Sequence, residues 1–406
     1  MTNAHRLAII GGKLPDGAPG GVLIEGDRIV AVGDFARPAD ADILDAAGAI
    51  IAPGLVDLGV FAVDRAAFRA GGITRAALMP DQSPALDHPA LIQHAAAIGK
   101  PSVWIHPLAA ATRGLKGEEL AEIGLMKAGG AHGVATGRGW IADSGVMLRL
   151  LAYAAAQDLT VVVHSEDGGL TDRAVATDGE TATRLGLPSA PAAAEAMAIA
   201  RDLALAEASG AHIHFRQVTT SRGLDLIRAA KRAGLPVTAG ITPAHLFLSD
   251  IAMTGFRTFT RLSPPLRSEA DRQAALAAVA DGTIDVIASG HDPRGPEDKR
   301  LPFADAAPGM AGAETLLALS LGLVRDGLVN LPRLFELLSA NPARILGVPG
   351  GSLEAGAPAD LILFDPGAPW KIDSERLVAL AGNTPFDGLP VQGKVLKTLK
   401  GGQPLD

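Results

Sequence analysis

The stretch Pro53–Asp64, PGLVDLGVFAVD, decides how the chain divides. With the residues before it, it reads as a short apolar strand, IIAPGLVDLGVF, that closes an N-terminal segment and opens a new unit. Upstream lie β-type runs broken by turn residues: LAIIGGKL, GGVLIEGDRIVAVG and ADILDAAGAIIAP, with Glu25-Gly26-Asp27 as a hairpin signal. Comparable runs return only after about residue 347, in GGSLEAGAPADLILFDPG and LPVQGKVLKTLKGGQPLD.

Downstream of the opening stretch, apolar strand-like runs alternate with helix-period segments. GITRAALM precedes HPALIQHAAAIG, PSVWIHP precedes EELAEIGLMKAGG, and GVAT precedes GVMLRLLAYAAAQD. Then come LTVVVHSED, the Ala-rich APAAAEAMAIARDLALAEASG, HIHFRQVTT, GLDLIRAAKRAG, LPVTAGITP and TIDVIASGHDP, and AGAETLLALSLGLVRDG closes the series. Such alternation implies parallel βαβ units, and about eight of them imply a closed α/β barrel of the (β/α)8 TIM type. In that architecture, chemistry sits where strands end and βα loops begin.

A chain of 406 residues, 48% of them apolar, can bury a large core. Its formal charge of -8 and lack of a basic block argue against nucleic acid as a partner. No Cys is present, which excludes disulfides and thiolate metal sites and fits a cytoplasmic location. The N-terminus, MTNAHRLAIIGGKLPDG, lacks the pattern of a signal peptide, and no membrane helix is expected.

Several strand-end motifs resemble one family. They are Pro53-Gly54-Leu55-Val56-Asp57, Ala70-Gly71-Gly72-Ile73-Thr74, Met79-Pro80-Asp81 and Val163-His164-Ser165-Glu166-Asp167. Further on stand Thr242-Pro243-Ala244-His245-Leu246, Ser263-Pro264-Pro265-Leu266-Arg267, the run Ala307–Thr315 and Asn383-Thr384-Pro385-Phe386-Asp387-Gly388. In order and spacing these resemble the dihydroorotases of the amidohydrolase superfamily. The resemblance implies a small β-domain composed of both chain ends, residues 1–52 plus 347–406, flanking a barrel over residues 53–346.

It also implies what an active site would contain, and this sequence departs from that pattern. The His-x-His metal ligands of the first barrel strand are Gly59 and Phe61. The fourth-strand ligand is expected near Thr136-Gly137-Arg138-Gly139, which holds no carboxylate or Lys; Asp143 reads as a helix cap. The fifth-strand His is kept as His164, the sixth-strand His is Gln217, and the general-base Asp of the eighth strand is Gly290. On the substrate side an Arg becomes Val63 and an Asn becomes Asp81. Of the remaining candidates, period-2 counting turns His212 and His214 toward the helical layer, away from Gln217. His164 and His291 are expected near the mouth, and Asp292 and Asp167 read as solvated loop carboxylates. Arg138 and Arg216 fill space left by a metal, with anion binding as their alternative role.

These departures lead to the expectation of a non-catalytic homologue without metal, catalytic or substrate residues. By resemblance it would associate with aspartate carbamoyltransferase, as an oligomer, in pyrimidine biosynthesis. Two alternatives stand beside it. One is an active zinc-dependent dihydroorotase or other cyclic-amide hydrolase with an atypical site, and the other is a metabolite-binding module.

Overall fold

A computed structural model describes residues 5–405. The first strands, β1 (Arg6–Lys13), β2 (Pro19–Glu25), β3 (Arg28–Gly33), β4 (Asp42–Asp45) and β5 (Ile50–Pro53), come from the N-terminal segment. The barrel strands follow as β6 (Leu55–Val60), β7 (Ile73–Leu78), β8 (Trp104–Pro107), β9 (Ala109–Ala110), β10 (Val134–Ala135) and β11 (Val161–Val163). A short parallel pair, β12 (Ala176–Thr177) and β13 (Ser189–Ala190), interrupts them before β14 (Ile213–Phe215), β15 (Val237–Ile241) and β16 (Val286–Ile287). The C-terminal end supplies β17 (Leu361–Lys371), β18 (Pro390–Lys400) and β19 (Gln403–Pro404).

The barrel is an eight-staved α/β barrel of the TIM type. Parallel ladders run β6-β7-β8 and β9-β10-β11-β14-β15-β16, and β8 passes into β9 through Leu108 alone, so the two pieces make one stave. Closure between the last and first staves uses few bonds. The Phe61 N–H donates to the His291 carbonyl at 2.9 Å, and Ser289 donates through its N–H (2.9 Å) and hydroxyl to the Asp57 carboxylate. Asp57 is wholly buried, and burial raises its pKa against the opposing pull of Ser289.

Side-chain alternation separates two cores. Val56, Leu58, Ala77, Met79, Val162 and Val286 fill the barrel interior. Ile73, Val161, Ile213, Phe215, Val237 and Ile241 meet the surrounding helices, among them Ala193–Ser209 and Ser221–Arg232. Helices Arg65–Gly71 and Ser144–Ala156 are capped by the side chains of Asp64 and Asp143, so Asp143 is a cap in the structure. Gly72 ends the first of these at φ 78°, where a side chain would be strained. Beyond the last stave the helical layer continues through Leu331–Phe335 and Asn341–Ile345, two segments that open with Pro at their first turns and carry a π-type turn between them. The series therefore runs past AGAETLLALSLGLVRDG.

Both chain ends form one sheet, ordered β19-β18-β17-β5-β1-β2-β3 with β4 beside β1. The join is antiparallel, Leu361–Phe364 of β17 lying against Ile50–Pro53. A buried ion pair, Arg75 to Asp360 at 2.6 Å, ties this sheet to the barrel. Among the described residues, no helix is long and apolar enough to cross a membrane.

Candidate functional site

At the mouth the first stave distorts. Pairing between β6 and β7 slips at Leu58/Val60, leaving Gly59 as an extra residue at φ 108°. A Cβ there would enter a strained region and stand 3.2 Å from Cδ of Arg216. Phe61 follows, buried, with the Arg138 guanidinium 3.8 Å and that of Arg216 5.1 Å from its ring centre.

The two arginines differ in how they are held. Arg138 donates its backbone N–H to Asp81 (2.8 Å) and its side chain to Asp292 (2.6 Å), which also accepts from Arg294 at 3.2 Å. Arg216 is buried, and among the described residues it has no carboxylate in ion-pair reach, Nδ1 of His164 at 3.4 Å as its one side-chain partner, and no partner for its Nε. Burial, and then the neighbouring Arg138, push its pKa down to about 10, so it keeps its charge at neutral pH.

His164 sits between this cation and an anion: its Nε2 lies 3.4 Å from Glu166. Accepting from Arg216 at Nδ1, the ring donates at Nε2 to Glu166. Burial pushes the Glu166 carboxyl up, but His164 and Arg267 outweigh it and hold it at about 2. Arg267 is saturated. It reaches Glu166 (2.8 Å), Glu195 (3.3 Å), Thr219 (2.9 Å) and Thr177 (3.0 Å). Glu195, from the helix Ala193–Ser209, also accepts the N–H and hydroxyl groups of Thr219 and Thr220. Glu195 was not singled out in the sequence because a Glu in an Ala-rich helix resembles a solvated face; the Val-Thr-Thr run facing it is the available signal.

Other positions fall as follows. Gln217 lines the mouth, with Oε1 unpaired. Gly290 lines it too, at φ 61°, and a Cβ there would press on Thr242 and Met310 at 2.9 and 3.0 Å. Val63 packs into the outer core. Asp81 serves the Arg138 backbone. Asp167 caps a short helix, whereas Asp292 is buried and doubly paired with arginines, so it is not a solvated loop carboxylate. His291 does not join His164: it packs on Phe68 and lies 3.5 Å from Asp64. His214 is corrected also. It pairs in register with Val162 of the barrel interior and bonds Thr238 at 2.9 Å, so it points inward. Strand β14 ends at Phe215, and counting by twos through Gln217 crossed that end. His245 is held by Thr242 (2.9 Å) and the Pro264 carbonyl (3.1 Å); burial lowers its pKa to about 4.

A zinc ion, which the resemblance implies for an active relative, does not fit these side chains. Among the described residues no three His, Asp or Glu groups converge as ligands, and both nitrogens of His164 are engaged. A guanidinium already projects beside Gly59 and Phe61, where the ligand pair would stand.

A barrel of parallel staves with polar groups gathered at its C-terminal mouth defines the class, and the chain belongs to the amidohydrolase family, whose model matches residues 72–405. Within it the sequence is similar to dihydroorotases. It is 39% identical to those of Syntrophotalea carbinolica and Pelotomaculum thermopropionicum over 98% of each chain, and to that of Anaeromyxobacter dehalogenans over 98% of this chain and 97% of the relative. The fold is shared with the L-hydantoinase (dihydropyrimidinase) of Arthrobacter aurescens, at TM-score 0.87, 25% identity and 98% and 95% coverage. The dihydropyrimidinase of Brevibacillus agri superposes at TM-score 0.85, with 22% identity over 98% and 94% of the two chains.

These relatives overturn the expectation of a non-catalytic homologue. Full-length similarity of 37 to 39% is to proteins bearing the name of the enzyme itself.

Proposed function

We propose that the protein is a dihydroorotase-type cyclic amidohydrolase that opens and closes a carboxylate-bearing cyclic ureide, using a site built on guanidiniums. The observation that carries this is the 39% identity to dihydroorotases along 98% of the chain. Ring opening adds water to the amide carbonyl and breaks its C–N bond, so negative charge gathers on the carbonyl oxygen while the attacking water loses a proton. Cations at the mouth, Arg138 and Arg216, suit the anionic substrate and that oxygen. Asp292 is the carboxylate among the cavity-lining residues and takes the role of proton acceptor.

The test is turnover of dihydroorotate and of carbamoyl aspartate by the purified chain, with added zinc and with chelator. The expected result is activity that survives the chelator and falls about 100-fold in Asp292→Asn. Absence of turnover in both directions under both conditions overturns the proposal.

A further inference from the structure

Five buried or half-buried arginines surround the mouth, and their partners are unequal. Arg267 is bound by two carboxylates, and Arg138 shares Asp292 with Arg294. Among the described residues Arg216 has no carboxylate within ion-pair distance; Asp81, Asp292 and Glu166 act on it only from further off. Its unpaired Nε and the unpaired Oε1 of Gln217 belong to consecutive residues, and both side chains line one cavity of about 80 Å³. Phe61, Leu262, Pro308 and Met310 give that cavity apolar walls. A second cavity of about 190 Å³ adjoins it across Arg138, Leu262, Ser263 and Pro308, and is lined by Arg261, whose Nε is likewise unpaired. A buried guanidinium without an anion is unfavourable in the free protein. It becomes favourable once a planar carboxylate supplies the missing acceptors.

The geometry points to Arg216 as the anchor of a carboxylate-binding site in the place where relatives of this fold would need metal ligands. Gln217 accepts an N–H of the same ligand, and Arg261 faces a second carboxylate in the adjoining cavity. The ligand class is thus a small ureido- or amido-dicarboxylate. The choice of class rests on the hydrolase reading, but the anion site does not require turnover. Arg216 acts here by touching the ligand, and the apolar walls exclude water from the contact.

The experiment is titration calorimetry on the full chain with carbamoyl aspartate, with succinate as a dicarboxylate lacking the ureido group, and with dihydrouracil as an uncharged ring. The expected order is carbamoyl aspartate above succinate, with no binding of dihydrouracil. Arg216→Met and Gln217→Glu, the latter placing a fixed carboxylate beside Arg216, are each expected to weaken carbamoyl aspartate at least about tenfold. Thermal melts check folding, and Gln217→Glu carries the test alone if Arg216→Met does not fold. No heat from either dicarboxylate, or affinities within about twofold of the parent in every folded variant, overturns the inference. Arg216-dependent binding without turnover keeps it and sinks the hydrolase reading. Turnover unaffected by both substitutions does the reverse.

Discussion

Two buried guanidiniums a short way apart at the mouth illustrate two uses of the same group. Arg267 is bonded to two carboxylates and two hydroxyls, all contributed by different elements, and locks the ends of the fifth, sixth and seventh staves together. Arg216 is equally sequestered and has one imidazole for company. A saturated buried charge serves the fold, while an unsaturated one leaves the fold less stable and the cavity ready for an anion. Substitutions should therefore act in opposite directions at the two sites.

The largest effect is expected on the saturated side. Arg267→Met takes the buried guanidinium away from Glu166 and Glu195, and urea denaturation should show a loss of about 3 to 5 kcal/mol. Next comes acid. The Glu166 carboxyl is lowered from an ordinary 4.5 to about 2, so it stabilises the fold above pH 4.5, and this contribution fades as pH falls toward 2. Its size is about 3 kcal/mol, and Glu166→Gln should flatten that part of the stability profile. Gly59→Ala forces a side chain into positive φ against Arg216 and should cost about 1 to 3 kcal/mol in the same assay. The smallest effect, opposite in sign, is that of Arg216→Met in ligand-free protein: a gain of roughly 1 kcal/mol, seen as a higher melting temperature. A large loss there would erase the contrast between the two arginines.

Much of the scaffold was legible because its signals are local. Apolar runs bounded by turns located the staves, and Asp143 ahead of its helix read correctly as a cap. The segment 331–345 escaped because Pro332 and Pro342 interrupt what is a continuing helical layer, each placed in a first turn where Pro is tolerated. At the site, Gly59, Phe61, Gln217 and Gly290 were named from resemblance alone, and the structure places the last three of them around one cavity. Their meaning depended on partners distant in sequence. Asp292 looked solvated until Arg138 was brought 2.6 Å away, and the inward face of His214 was lost by extending strand parity past Phe215.

The join between the chain ends has a consequence for the order of assembly. Ile50–Pro53 meets β1 at Ile50 alone, and the neighbour along its other edge, Leu361–Phe364, arrives after every barrel stave has been made. During synthesis β5 is thus an open sheet edge, an apolar strand with unpaired backbone groups, for as long as the ribosome takes to produce the barrel. The sheet is the last part of the molecule able to close, and a chain cut short before residue 361 would carry its stickiest surface permanently uncovered.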